Sequence, residues 1–159
     1  MNAEATRSVL IILPDDALLF EAVGMADIFH QANLSLPPDS PLPRYKVHLS
    51  SVQRHRVSHG RSGVNLLADS WLGDLDPAGW DTVIVTGRGT SPPDGQAIAP
   101  WIAQADPHCQ RVVSVCTGAF HLAQAGLLKG RRATTHWKAL EEFARVWPQT
   151  EVEGDPIFV

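Results

Sequence analysis

Three short runs rich in Val, Ile and Leu constrain this chain more than any other feature: Ser8 to Leu13 (SVLIIL), Trp80 to Thr86 (WDTVIVT) and Arg111 to Val115 (RVVSV). A strand that is apolar on both faces cannot turn either face to water, so such runs read as central strands of a parallel sheet covered by helices on both sides. Each is followed by turn residues and then by helical spacing. Pro14-Asp15-Asp16 ends the first run, and Phe20 to Ala32 then carries Val23, Ala26, Ile28, Phe29 and Ala32 near a helical repeat, up to Asn33 and the proline-rich LSLPPDSPLP. Tyr45 to Val52 alternates apolar and polar residues and reads as a strand with one more exposed face. Ala97 to Gln104, Phe120 to Ala125 and Lys138 to Val146 read as further helices, and Glu151 to Val159 as an extended segment. Strands alternating with helices predict an α/β domain, a doubly wound and mostly parallel sheet with helices on both faces.

The 159 residues suit a single domain, residues 1–159, large enough to bury a core without disulfides or a structural metal. A formal net charge of −4 offers no attraction to nucleic acid, so this chain is not expected to contact DNA by itself. Cys109 and Cys116 are the two cysteines, and the opening MNAEATRSVLIILP lacks the basic end, long apolar run and cleavage site of a signal peptide. A reduced, cytoplasmic setting is the expectation, with no membrane association, since no apolar stretch approaches the roughly 18 residues that span a bilayer.

The chemistry-bearing pattern lies at the end of the third apolar run. Cys116 follows Val115 and precedes Thr117, Gly118 and Ala119, a strand turning sharply into a helix between small residues. That is a nucleophile-elbow pattern with cysteine in place of serine, and the adjoining helix N-terminus favours a thiolate. After the elbow helix and a glycine turn comes Thr134-Thr135-His136-Trp137, whose His136 is the candidate partner for the thiol. Glu21, opening the helix after the first strand, is the candidate acid at the same rim of the sheet. Gly87, Arg88 and Gly89 follow the second apolar run, where the glycine N–H groups could face a developing oxyanion. Bland readings stand beside each: Cys116 as a small core residue, Glu21 as a carboxylate complementing the helix dipole, and the glycines as turn formers. His55 and His59, in the polar RHRVSHGRSG stretch, read as loop histidines rather than metal ligands, because no carboxylate or cysteine completes a set. His121 reads as structural or interfacial, and Cys109 as an incidental surface thiol. No metal or cofactor is expected.

The segment SVCTGAFHLAQAGLLKGRRATTHW, from Ser114 to Trp137, together with the closing DPIFV, resembles the PfpI superfamily of class I glutamine-amidotransferase-like domains. Within that superfamily it is similar to the sensor domains of GlxA-type regulators of the AraC family, over essentially the whole chain. The resemblance implies a flavodoxin-like fold, with Cys116 as the superfamily's reactive cysteine, His136 as the histidine near it and Glu21 as the acid that hydrogen-bonds it. It further implies a small-molecule effector or substrate bound around the elbow by Gly87, Arg88, Gly89, Thr117 and Gly118. A homodimer, and DNA contact only through a helix-turn-helix module absent from this chain, are also implied. Two departures are visible. Thr86-Gly87-Arg88-Gly89 stands where relatives carry a Pro-Gly-Gly run, and Glu21 with Gly24-Met25 stands where isonitrile hydratase opens its first helix with Asp and a Gly-Pro step. Relatives also continue beyond DPIFV into a further strand and helix, so the chain is expected to lack its C-terminal strand and helix. The leading expectation is a ligand-sensing regulator domain, more plausibly non-catalytic; the alternative is a cysteine-dependent hydratase or hydrolase.

Overall fold

The computed structural model describes residues 6–88 and 97–159. Five strands, β1 (Thr6–Leu13), β2 (Arg44–Ser51), β5 (Ser70–Trp71), β6 (Thr82–Val85) and β7 (Arg111–Ser114), form one sheet in the order β5-β2-β1-β6-β7. Every pairing within it is parallel. Among the described residues four α-helices cross between or follow the strands: α1 (Leu19–Leu34), α2 (Ile98–Ala105), α3 (Ala119–Gln124) and α4 (Leu140–Val146).

The apolar runs behave as their composition requires. Val9 to Leu13 of β1 are all fully buried, and their side chains divide between the two faces of the sheet. Leu10 and Ile12 join Val83 and Val85 of β6 in a core closed by Ile98 and Ile102 of α2 and Leu122 of α3. Val9, Ile11 and Leu13 join Ile84 in a second core on the opposite face, closed by Ala22, Met25, Ala26 and Phe29 of α1. Full burial of a Val, Leu or Ile side chain is worth roughly 1.5–3 kcal/mol, so β1 alone contributes on the order of 10 kcal/mol of gross burial. The sheet is organised around this strand, and the doubly wound expectation holds.

The face that α1 turns inward differs from the one its spacing suggests. Leu19, Ala22, Met25, Ala26 and Phe29 pack on the sheet, whereas Val23 and Ile28 are exposed, Ile28 at 68%. The helix carries apolar residues around much of its circumference, so periodicity alone does not select the buried stripe. The polar RHRVSHGRSG stretch is also more structured than expected. It starts a small antiparallel hairpin of β3 (Val57–His59) and β4 (Asn65–Leu67), with Gly63 at φ 84 in the turn. Near the C-terminus only Glu151–Val152 (β9) is a strand; it pairs in parallel with β8 (Arg132–Ala133), and Ile157 and Phe158 are exposed rather than extending a sheet.

The chain leaves β7 through a tight 3-10 turn at Cys116–Gly118, in which Val115 N donates to Val85 O at 2.9 Å and Gly118 N to Val115 O at 2.9 Å. The turn lies so close to β6 that a Cβ on Gly118 would sit 2.3 Å from Val85 O. Backbone cannot yield as a flexible side chain does. Gly118→Ala is therefore expected to lower stability by more than about 2 kcal/mol in urea denaturation, a clash of the overpacking kind. Gly24→Ala, where nothing lies within 4 Å of the added carbon, is expected to raise stability by about 0.5–1 kcal/mol through helix propensity.

Candidate functional site

Cys116 holds φ 55, in the left-handed region that a non-glycine residue enters only when its surroundings impose it. The elbow imposes it here, since the turn must leave β7 and enter α3 while Gly118 passes against Val85. The strain points the Cys116 side chain at the carboxyl-end rim. There the Gly87 backbone comes so near that an added Cβ would lie 3.0 Å from Cys116 Cβ and 3.1 Å from both Glu21 Oε2 and Thr117 Oγ1. A Cβ at 87 would be tight and its side-chain neighbours would have to give by a few tenths of an ångström, whereas at 118 it would meet a backbone carbonyl.

Glu21, in the first turn of α1, accepts a hydrogen bond from Gly87 N at 2.7 Å through Oε2. Leu18 N donates to Gly87 O at 3.0 Å, so both backbone groups of Gly87 are held by the entry to α1. Arg88 is clasped by Thr117: Arg88 N donates to Thr117 Oγ1 at 3.0 Å, and Thr117 Oγ1 donates to Arg88 O at 2.5 Å. The elbow, the loop after β6 and the start of α1 are one hydrogen-bonded cluster.

Burial pushes the Cys116 thiol above its ordinary pKa, and the negative charge of Glu21 together with its hydrogen bond to the thiol pushes the same way. Thr117 opposes them with the hydrogen bond from its backbone amide, but the net direction is upward. The helix-terminus argument for a ready thiolate is outweighed by a carboxylate placed against the sulfur and by partial exclusion of water.

His136 stands apart from this cluster in its bonding. Its Nδ1 accepts from Lys138 N at 3.1 Å, capping the turn Trp137–Ala139, and its ring stacks on Trp137 with centroids 5.7 Å apart. Among the described residues the imidazole's hydrogen bond goes to Lys138 N and not to the thiol. The segment is tied to the elbow by Thr135 instead, whose hydroxyl donates to Cys116 O at 3.0 Å. Sequence reasoning passed over Thr135; the signal available was its place beside His136 in a polar pair. Gly89 lies outside the described residues. Cys109 is half-buried rather than a surface thiol: it packs against the core beneath α2, is free, and burial raises its pKa. His55 and His59 have ring centroids 5.9 Å apart, with His59 Nδ1 2.8 Å from Asn65 Oδ1, and no group of three or more potential metal ligands occurs among the described residues.

A cavity of about 210 Å³ opens at the same end of the sheet. Arg88 and the buried His121 of α3 line it, but Cys116 and Glu21 do not. It lies on the α2 and α3 side, and Arg88 belongs to both places, through its backbone to the cysteine cluster and through the cavity wall to the other.

The sequence matches the DJ-1/PfpI family over residues 7–155. The chain belongs to this family. A Streptomyces lividans relative, "Uncharacterized protein in cpoL 5'region", is 34% identical over 150 residues, 93% of this chain and 99% of the relative. Two matches are local. The HTH-type transcriptional regulator CdhR of Pseudomonas aeruginosa is 41% identical over 56 residues, 35% of this chain and 17% of the regulator. Isonitrile hydratase of Pseudomonas putida is 69% identical over 26 residues, 16% of this chain and 11% of the hydratase. Among solved structures, an AraC family transcriptional regulator from Pseudomonas putida superposes with a TM-score of 0.75 at 20% identity, covering 92% of this chain and 76% of that one. Drosophila melanogaster DJ-1beta gives 0.72 at 17% identity, covering 95% and 75%. The fold is therefore shared with an AraC family transcriptional regulator and with DJ-1beta. No helix among the described residues is long and apolar enough to cross a membrane.

Because the Glu21 charge is the second largest influence raising the Cys116 thiol, Glu21→Gln is expected to lower that pKa. On a Cys109→Ser background, alkylation by iodoacetamide at pH 8 is expected to quicken by roughly threefold or more, and the rate-versus-pH curve to move to lower pH. An unchanged curve would show that the carboxylate does not govern the thiol.

Proposed function

We propose that this chain is a ligand-sensing domain of an AraC/GlxA-type transcriptional regulator, whose enzyme-like cluster is kept for binding rather than turnover. The observation that carries this reading is the state of the donors around Cys116. An acyl-transfer or hydration site needs backbone N–H groups aimed where negative charge develops. Here Gly87 N is taken by Glu21 and Arg88 N by Thr117, while the Thr117 amide is directed to the Cys116 sulfur itself. The thiol is held toward its protonated form, the weaker nucleophile. The local similarity to CdhR supports the regulator assignment.

In this reading Cys116, Glu21, Gly87, Thr117 and Gly118 form the wall of a binding region, and His136 caps the turn beside it. The effector acts by favouring one arrangement of a homodimer over another, and DNA is reached through a separate helix-turn-helix module. Exposed apolar side chains on α1, Phe20 at 88% and Ile28 at 68%, are surface of the kind that association buries.

A cysteine-dependent hydratase is the second reading, favoured by the local similarity to isonitrile hydratase. The two separate in one experiment. The chain is incubated with cyclohexyl isocyanide and product is followed by mass spectrometry, since addition of water across the isocyano carbon gives the N-substituted formamide. The regulator reading expects no formamide above the buffer rate from either wild type or Cys116→Ser. Enzymatic formation that disappears in Cys116→Ser would overturn it and assign Cys116 as nucleophile.

A further inference from the structure

The edge of the sheet opposite β7 carries a second set of chemistry-bearing side chains, His48, Asp69 and Ser70. β5 is the edge strand there and pairs in parallel with β2, Ser50 opposite Ser70. Side chains alternate along a strand, so His48, two residues before Ser50, lies on the same face as Ser70. The contact is direct: His48 Nε2 lies 2.8 Å from Ser70 Oγ. On the other side of the ring, His48 Nδ1 lies 3.9 Å from Asp69 Oδ2. That carboxylate is fixed to β2, because Leu49 N donates to Asp69 Oδ2 at 2.8 Å while Asp69 N donates to Leu49 O at 3.0 Å.

The sequence of the three groups sets where the protons sit. A carboxylate beside Nδ1 favours the tautomer protonated there, which leaves the Nε2 lone pair to accept from the Ser70 hydroxyl. A hydroxyl with a base at hydrogen-bond distance, and an acid behind the base, is the arrangement that activates a serine nucleophile. The Asp69–His48 separation exceeds a hydrogen bond, and catalytic contacts of this kind are often slack until substrate is bound. Small molecules can reach the trio, since the His48 side chain is 27% exposed and that of Asp69 57%. Trp80 adds a fixed apolar surface beside the imidazole: the ring centroids are 5.4 Å apart, and Trp80 Nε1 donates to Asp76 O at 3.1 Å.

We propose that Ser70, His48 and Asp69 form a second catalytic site, a serine esterase acting on small aryl or short-chain esters, separate from the cysteine cluster. Ser70 Oγ attacks the ester carbonyl carbon and forms the new O–C bond as its proton passes to His48 Nε2. The bond to the leaving oxygen then breaks while His48 gives that oxygen the proton, which releases the alcohol and leaves acyl-Ser70. Water attacks the acyl carbon and loses one proton to His48, and the bond to Ser70 breaks as His48 returns the proton to Oγ. The products are a carboxylic acid and an alcohol. The open setting suits activated esters, whose leaving groups need little help from a general acid. Isonitrile turnover at Cys116 would overturn the regulator assignment while leaving this test standing.

The test uses the full chain carrying Cys109→Ser and Cys116→Ser, which removes both thiols as competing nucleophiles, with para-nitrophenyl acetate as substrate. Nitrophenolate release above the buffer rate is expected, with the acetyl group located on Ser70 by peptide mass spectrometry of samples quenched early. On the same background Ser70→Ala and His48→Gln are each expected to slow the release at least about tenfold, and Asp69→Asn at least about threefold, with unchanged circular dichroism spectra. Should Ser70→Ala fail to fold, His48→Gln and the position of the acetyl group carry the comparison. No release above buffer, an acetyl group on another residue and not on Ser70, or full rate in any of the three variants would each overturn the proposal; full rate in Ser70→Ala alone would mean that the imidazole itself attacks the ester.

Discussion

The approach of the elbow to the end of β6 is the contact on which the rest of the site depends. Val85 O accepts from Val115 N, and the Gly118 backbone passes against the same carbonyl at a distance that excludes any Cβ. This closeness brings Cys116 to Gly87 and puts Thr117 within reach of both backbone groups of Arg88. Two glycines flank the contact, and they are constrained to different degrees. Gly118 clears a backbone carbonyl, while a side chain at 87 would crowd the Cys116 and Glu21 side chains, which would have to give slightly.

The family likeness describes the scaffold more fully than the chemistry. A cysteine at a strained turn with a carboxylate beside it is a constellation that supports several outcomes, and the surrounding hydrogen bonds decide among them. In this chain the donors that would stabilise an oxyanion are paired with Glu21, Thr117 and the sulfur. Any incoming oxygen must displace one of those partners, which turns a preorganised hole into one that reorganises at the moment of reaction.

Much of the fold was legible because its central strands are apolar on both faces. Val9 to Leu13 is short, apolar throughout and stopped by Pro14, which suits the middle of a covered sheet, and the helices follow from the need to cover it. What escaped was set by tertiary context. The inward stripe of α1 is chosen by the sheet beneath it, since Phe20, Val23 and Ile28 are as apolar as the residues that pack. The β3–β4 hairpin is built from the polar segment around His59, where alternation is weak and pairing with Asn65 completes the pattern. Small residues after strand ends mark the tight turns at Gly87 and at Cys116 to Gly118, and Glu21 stands out as the carboxylate that opens the helix after the first strand; the structure brings these residues together. The bonding of His136 to its own turn, and of Thr135 to the elbow carbonyl, depends on how the segment after α3 is laid down, which no spacing reveals.

Arg88 borders both the cysteine cluster and the cavity at this end of the sheet. Its peptide N–H and C=O are both spent on one hydroxyl, that of Thr117, immediately next to the cysteine, while the residue also walls a space on the α2 and α3 side. A residue pinned at both backbone atoms cannot shift without dragging what pins it. Any movement of the Arg88 backbone is therefore tied to Thr117, the residue that follows the cysteine.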